Sequence, residues 1–146
     1  MQPESGQSCS LIEGSFAQRF IAAWNSHDIE QIKEFYAADY EGVDVNQPQP
    51  HYGFAGVRLN FLNYYRAFPD LQFTVETVID DGKQLALVWH GQGTHRGKLL
   101  NIPATGRPVT MRGVSILTLE AGLISKALYI WDVAGVLRSI GLLPDL

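Results

Sequence analysis

Cysteine is almost absent from this 146-residue sequence, and the single one is Cys9. One cysteine excludes a disulfide framework within the chain, as well as zinc or iron–sulfur sites that need several cysteine ligands. Long hydrophobic runs are missing too, since no stretch of about 18 apolar residues could span a membrane as a helix. We therefore expect no membrane partner.

Positive charge is scarce. Eleven Lys and Arg residues stand against fifteen Asp and Glu residues, for a net charge of −4. This balance does not favour nucleic acid as a partner. The opening MQPESGQSCS is polar and lacks the basic and apolar regions of a secretion signal. We expect a cytoplasmic protein with a disordered leader at residues 1–9 and a single domain over residues 10–146.

Several familiar catalytic and metal-binding motifs do not occur. There is no HExxH pattern, no GxxxxGK[ST] phosphate loop and no GxSxG nucleophile motif. His90 and His95 share one predicted strand, but their odd spacing puts them on opposite faces. The sequence therefore predicts no metal site and no nucleophilic serine or cysteine.

Helical spacing dominates the first half. Ser10 and Glu13 have the spacing of a capping box. The apolar face of the first helix is predicted to hold Ile12, Phe16, Phe20 and Trp24. A second helix begins at Asp28, and its apolar face is predicted to hold Ile29, Ile32, Phe35 and Tyr36. A short strand is predicted over residues 43–45, then a loop with QPQPHYGFAG, then a third helix over residues 57–67.

From Leu71 the hydrophobic period changes to two. The alternation in LQFTVETVID predicts one strand, and three more are predicted over residues 84–95, 109–119 and 123–133. A last short helix ends at Gly141. Helices followed by a four-stranded meander indicate an α+β fold with the helices on one face of a curved sheet. A sheet of that shape can enclose an apolar pocket.

Asp132 is the unusual residue of the apolar segment ALYIWDVAGVLRSIGLL. Alternation along a strand would place it on the face opposite to Trp131, and both faces are apolar. One interpretation makes Asp132 the N-cap of the final helix. The other makes it a cavity acid, whose pKa desolvation would raise so that it could transfer protons near neutral pH.

Asp44 is the second carboxylate of interest. It lies between Val43 and Val45, just after the predicted second helix. A solvated loop acid is one interpretation. If the valines indicate a strand, alternation turns Asp44 away from both of them.

Aromatic residues are numerous, and most are expected in the core. A cavity for a flat apolar ligand would draw its walls from them. The aromatic residues expected to bind substrate are Trp24, Tyr40, Tyr64, Phe68, Trp89 and Trp131.

Later segments carry a family resemblance. AFPDLQFTVE, GTHRGKLLNIPATGRPVTMRGVSI and GLISKALYIWDVAGVLRSIGLLP together resemble the SnoaL-like polyketide cyclases of the nuclear-transport-factor-two-like superfamily. The likeness covers nearly all of the chain after the leader. It implies a cone-shaped, curved antiparallel sheet with three N-terminal helices packed over its concave face.

The resemblance also implies chemistry. In the cyclases, an acidic residue on the last strand is the general acid–base of an intramolecular aldol closure, and Asp132 stands at the matching position. The implied enzyme uses no cofactor and acts on a small apolar or aromatic carbonyl compound. His95 would hydrogen-bond the substrate or assist the reaction, and Arg112 would stabilise an enolate.

A second resemblance concerns the first half. AQRFIAAWNSHDIEQIKEFYAADYEGVDVN is similar to the opening of the ketosteroid isomerases. On that match Asp44 falls on their general base, and Phe20 falls on the tyrosine that donates to the substrate oxyanion. Phenylalanine has no donor, so the match indicates shared ancestry of fold rather than steroid isomerisation.

Three functions stay open. The first is acid–base cyclisation or isomerisation. The second is a hydroxylase-like or epoxide-hydrolase-like reaction, with Asp44 and Asp132 as an acid/base pair in the epoxide case. The third is a non-catalytic module for ligand binding or dimerisation. In each case we expect a homodimer formed through the outer face of the sheet.

Overall fold

The structure is a computed structural model that describes residues 14–145. The predicted leader, Cys9 and the Ser10–Glu13 capping box lie outside the described residues. The helices are α1 Phe16–Asn25, α2 Ile29–Lys33, α3 Gly53–Ala67 and α4 Val133–Ser139. The strands are β1 Tyr36–Asp44, β2 His51–Tyr52, β3 Gln72–Asp80, β4 Gln84–Thr94, β5 Pro108–Glu120 and β6 Leu123–Trp131.

The predicted α+β fold is confirmed. One curved, unclosed sheet holds all six strands in the order β2-β1-β6-β5-β4-β3. Strands β3 to β6 form the predicted antiparallel meander, whereas β1 pairs in parallel with β6. The first strand of the sequence therefore lies beside the last, which brings the ends of β1 and β6 together.

Helix α1 is fixed at both ends by side chains. Ser15 caps it by accepting a hydrogen bond from the backbone N–H of Gln18. At the other end, the Asn25 side chain donates to the Phe73 carbonyl at 2.9 Å and accepts from the Phe73 N–H at 2.7 Å. This double contact attaches the end of α1 to β3.

The second predicted helix is shorter than expected. Asp28 caps it as predicted, but α2 ends at Lys33 and Tyr36 already belongs to β1. Phe35 and Tyr36 fit the helical spacing, yet the Phe35 carbonyl instead accepts from the N–H of Ile124 in β6. Sheet pairing with a distant strand overrides the local pattern here.

The boundaries of other elements also differ from the predicted ones. Strand β1 covers nine residues instead of three, the predicted loop contains β2, and α3 begins at Gly53 instead of residue 57. A β-bulge between Val75 and Thr77 reverses the alternation in β3. As a result Val78 packs against the core, and Ile79, predicted to share a face with Val75, is 66% exposed.

Helices α1 and α3 pack against the sheet, α1 beside β3 and α3 beside β1. Large buried side chains between the helices and the sheet include Phe20, Tyr40, Phe68, Leu87 and Leu117. Among the described residues, no helix is both long enough and apolar enough to cross a bilayer.

Candidate active site

A cavity of about 110 Å³ lies between the helices and the concave face of the sheet. Its wall is overwhelmingly apolar, with a few polar groups, as is typical of a small-molecule site. The polar or titratable residues among those that line it are Asp44, His51, Asn60, Ser115 and the tyrosines Tyr36, Tyr64, Tyr65 and Tyr129.

Strand register aligns part of this polar set in a row across the sheet. Asp44 of β1 pairs with Tyr129 of β6, Tyr129 pairs with Ser115 of β5, and Ser115 pairs with Leu87 of β4. Side chains of directly paired residues project to the same face of a sheet. All four line the cavity, so the row crosses its floor.

Asp44 is the carboxylate of the cavity, and it is 3% exposed. Its Oδ1 accepts from the Asn46 backbone N–H at 2.9 Å and from the Trp131 indole Nε1 at 3.1 Å. Its Oδ2 accepts from the Tyr64 hydroxyl at 2.8 Å. Two longer contacts also reach Oδ2, from Trp131 Nε1 at 3.2 Å and from Gln47 Nε2 at 3.4 Å.

These donors are all neutral. No ion pair to Asp44 exists within residues 14–145, where the one salt bridge joins Arg112 to Glu76. A buried carboxylate is tolerated when several hydrogen bonds replace its hydration. Both carboxylate oxygens accept such bonds, with two donors at Oδ1 and three at Oδ2.

His51 approaches the cavity from β2. Its Nε2 lies 2.9 Å from the Tyr40 hydroxyl and 3.3 Å from Asn60 Nδ2. The Tyr40 hydroxyl lies in turn 3.2 Å from that of Tyr129. Burial lowers the pKa of His51, and the nearby Asp44 charge opposes that shift. The ring is therefore neutral at pH 7.

Gly42 makes the contact between His51 and Tyr40 possible. A Cβ at this position would overlap both the Tyr40 hydroxyl and the His51 ring. Gly42 pairs with His51 in the sheet, so the missing side chain leaves the space where the two groups meet.

Three tyrosine hydroxyls form a second polar group in the cavity region. Burial raises the pKa values of Tyr36, Tyr40 and Tyr129, and the mutual repulsion of their ionised forms adds to this for Tyr36 and Tyr40. All three consequently keep their protons and can donate hydrogen bonds.

Trp89 closes another part of the wall. Its indole donates to the Ser115 hydroxyl at 3.0 Å, and its six-membered ring lies across Gly113. A Cβ on Gly113 would overlap that ring and lie 2.8 Å from the Ile130 carbonyl oxygen. Gly113 therefore sets the position of Trp89.

The structure places Asp132 away from the cavity. Strand β6 ends at Trp131, so Asp132 lies just beyond it and serves as the N-cap of α4. Its exposed carboxylate accepts from the Gly135 N–H at 2.8 Å. Of the two interpretations made from the sequence, the helix cap is the one that this geometry supports. The expected acid/base pair of Asp44 and Asp132 is not assembled.

His95 and Arg112 are also absent from the cavity wall. His95 is fully buried and its Nδ1 contacts Thr105, with the Thr105 N–H donating to it at 3.2 Å. That contact ties the connection between β4 and β5 to the core. Arg112 lies on the outer face with its side chain 65% exposed and pairs with Glu76 at 2.6 Å.

The predicted aromatic wall is assembled in part. Its members that line the cavity are Trp24, Tyr64, Trp89 and Trp131. Tyr40 reaches the site through its hydroxyl, next to His51 and Tyr129. Phe68 does not line the cavity and packs instead against His95, with ring centroids 5.8 Å apart.

Sequence reasoning assigned no role to His51, Asn60 or Ser115. His51 follows a proline-rich loop, and nothing in that loop indicates a strand beside β1. The one available signal was Gly42 within a strand-like segment, because an interior glycine marks a place of close approach.

Comparison with known proteins gives the family. The model of the SnoaL-like polyketide cyclase family matches residues 15–140. The chain belongs to this family. The predicted resemblance is thus confirmed, and family and fold together support a pocket protein of the cyclase or isomerase type.

Solved structures agree on the fold of this SnoaL-like protein. TsrD from Streptomyces laurentii is 25% identical with a TM-score of 0.79, and the match covers 92% of this chain and all of that one. IdmH from Streptomyces antibioticus, a candidate polyketide cyclase, is also 25% identical, with a TM-score of 0.74. The match covers 86% of this chain and 95% of IdmH.

A third structure, AclR from Streptomyces galilaeus, is a candidate hydroxylase. It is 24% identical with a TM-score of 0.78, and the match covers 89% of this chain and 85% of AclR. At this identity the likeness shows the shared fold alone. No curated protein sequence matches the chain. Within residues 14–145, no group of three or more His, Cys, Asp or Glu side chains could hold a metal ion.

Proposed function

We propose that this protein catalyses acid–base cyclisation or isomerisation of a small apolar carbonyl compound, with Asp44 as the residue that transfers the proton. One observation carries the proposal. Asp44 is a buried carboxylate in the wall of an apolar cavity, and its side-chain partners there are neutral. No cofactor takes part in the proposed reaction.

The chemistry suits a single carboxylate. A carbon–hydrogen bond next to a carbonyl group is acidic enough for a positioned general base, which adds roughly 10² to 10⁴ in rate. The proton would move from that carbon to the Asp44 carboxylate and return to carbon or oxygen after the bond change. The apolar wall would hold the reacting groups of one substrate close together, which raises their effective concentration.

Asp44 replaces Asp132 in this proposal because of the geometry described above. A catalytic carboxylate must reach the substrate, and the exposed Asp132 side chain is held on the first turn of α4. The family resemblance favoured Asp132, whereas the isomerase resemblance favoured Asp44. The contacts of Asp44 with Trp131 and Tyr64 support the latter.

Epoxide opening is less well supported, since no second carboxylate lines the described cavity. A hydroxylase-like reaction has only the likeness to AclR in its favour, at the level of fold. A non-catalytic module would explain the cavity, yet it gives no reason for placing a buried carboxylate in the cavity wall.

The proposal includes a homodimer through the outer face of the sheet. Two apolar side chains on that face, Ile79 and Ile130, are 66% and 44% exposed. Sedimentation at several protein concentrations tests it. If the protein has the mass of a monomer at every concentration, the dimer part of the proposal is wrong, and the proposed reaction is unaffected.

Hydrogen–deuterium exchange tests the reaction class before the true substrate is known. Apolar ketones and β-keto esters are incubated with the protein in D₂O, and NMR follows the loss of the proton next to the carbonyl. We expect the wild type to exchange the proton of at least one compound. We expect Asp44→Asn to lower that exchange rate by a factor of about 10² or more. Equal exchange in the two proteins would overturn the role of Asp44.

A further inference from the structure

Tyr36 has an unsatisfied hydroxyl in the cavity. The residue is 8% exposed and lines the cavity, and its hydroxyl oxygen is fully buried without a hydrogen-bond partner in the structure. The side chains of Tyr129 and Trp24 are its polar neighbours and influence its pKa, but neither meets the distance and angle of a hydrogen bond to this hydroxyl. Buried hydroxyls rarely lack a partner, so one in a cavity indicates a ligand that supplies the acceptor.

The hydrogen bonds of the neighbouring hydroxyls explain why the Tyr36 hydroxyl has no acceptor within the protein. Tyr40 can donate its hydrogen to His51 Nε2, and Tyr129 can donate to the Tyr40 oxygen. Each of these two hydroxyls then has a protein partner. Of the three tyrosine hydrogens, the one on Tyr36 therefore remains free for a bound molecule, and His51 Nδ1 is a further buried atom of the cavity wall without a partner.

Phe20 lines the cavity directly beside Tyr36. The isomerase resemblance puts the oxyanion donor at Phe20, which has no donor. The Phe20 ring lies against Tyr36, with centroids 6.2 Å apart, and both rings line the cavity. The hydroxyl that residue 20 lacks is therefore present on its direct neighbour.

We propose that the Tyr36 hydroxyl donates a hydrogen bond to the carbonyl oxygen of the substrate and stabilises the enolate that forms there. The inference rests on the proposed acid–base function. As the Asp44 carboxylate takes the proton from carbon, the electron pair of that bond moves onto the carbonyl oxygen. The Tyr36 proton stays on tyrosine and is shared in the hydrogen bond, so no further co-reactant is needed.

Binding of 4-nitrophenolate tests the donor separately from the base. The phenolate oxygen resembles an enolate oxygen, and its absorbance reports binding. The titrations use three proteins that all carry Asp44→Asn: that protein itself, the same with Tyr36→Phe, and the same with Tyr65→Phe. Asp44 is absent throughout, so the result does not depend on its proposed role.

Tyr65→Phe is the matched control. Tyr65 also lines the cavity, but its hydroxyl already donates to the Trp24 carbonyl at 2.5 Å. We expect Tyr36→Phe to weaken phenolate binding by about tenfold or more, and Tyr65→Phe to change it by no more than about twofold. Unfolding temperatures should show the reverse order, because only Tyr65→Phe removes an existing hydrogen bond.

Three results would overturn the assignment. One is equal phenolate affinity with and without the Tyr36 hydroxyl. Another is an equal loss in the Tyr36 and Tyr65 variants, which would indicate a general effect on the cavity. The third is no phenolate binding to the Asp44→Asn protein itself. If instead the donor result holds while Asp44→Asn leaves proton exchange intact, the base assignment fails and the donor assignment stands.

Discussion

Trp131 donates its indole N–H to both carboxylate oxygens of Asp44, at 3.1 and 3.2 Å. The two residues are 87 positions apart in the chain and meet because β1 lies parallel to β6. The residue directly before Asp132 thus turns into the cavity, whereas Asp132 itself caps the next helix. This change of direction over one residue separates the candidate base from the structural acid.

The first prediction concerns the donors to Asp44. Trp131→Phe and Tyr64→Phe each remove one donor to a buried carboxylate; Tyr64→Phe keeps the whole ring, whereas Trp131→Phe also replaces the two-ring indole by a smaller phenyl ring. We expect either change to lower the free energy of unfolding by about 1.5–3 kcal/mol, measured by urea denaturation. Tyr65→Phe, which removes a hydrogen bond to an uncharged carbonyl, should cost only about 0.5–1.5 kcal/mol. Equal losses for Tyr64→Phe and Tyr65→Phe would contradict a stronger hydrogen bond at the Asp44 carboxylate.

The second prediction concerns Gly113. Gly113→Ala should push Trp89 away from Ser115, because the new methyl group would occupy the place of the indole ring. Overpacking of this kind costs about 1–3 kcal/mol, and a displaced indole would narrow the cavity. Urea denaturation and tryptophan fluorescence check the two effects. Ser115→Ala is the companion variant, since it removes the Trp89 acceptor without adding an atom and should leave the cavity open.

The third prediction concerns pH. Burial lowers the pKa of His51 and of His95 below 6.5 in the folded protein. As the pH falls through 6.5, the unfolded chain therefore binds protons before the folded one does, and stability declines. The stability that the two neutral histidines contribute is fully present above pH 6.5 and is lost as the pH falls towards their folded-state pKa values.

Urea denaturation from about pH 8 to pH 5 measures this slope. We expect His51→Gln to flatten it in part, and the double variant with His95→Gln to flatten it further. Only the slope matters here, because each substitution also changes the absolute stability. An unchanged slope in the double variant would show that these two histidines do not cause it.

The fourth prediction separates capping from catalysis at Asp132. Asp132→Ala removes the carboxylate that accepts from the Gly135 N–H and should cost about 0.5–2 kcal/mol of stability. Asp132→Asn should cost much less, because asparagine is an equally good N-cap. If the Asn variant were as unstable as the Ala variant, the side chain would do more than cap α4.

Much of the fold could be predicted from the sequence, because its signals are local. The alternation in β3 to β6 and the turns between them identify the meander, and Pro69 lies just beyond the end of α3. The exceptions depend on distant partners. Tyr36 joins β1 because Phe35 bonds to Ile124, and Ile79 turns outward because of the bulge after Val75.

The site was harder to predict for the same reason. Asp132 seemed to continue the alternation of its strand, but β6 ends one residue earlier and the chain turns into α4. The depth of Asp44 depends on the parallel pairing of β1 with β6, which no nearby pattern indicates. The role of His51 depends on the gap above Gly42.

The central claim is that Asp44, and not Asp132, transfers the proton. The most direct measurement compares Asp44→Asn with Asp132→Asn in the proton-exchange assay, on whichever carbonyl compound the wild type exchanges fastest. Each variant removes one carboxylate charge and keeps the shape of its side chain. We predict that Asp44→Asn loses about 10² or more in exchange rate while Asp132→Asn stays close to the wild type. A loss confined to Asp132→Asn, with Asp44→Asn still active, would contradict the account.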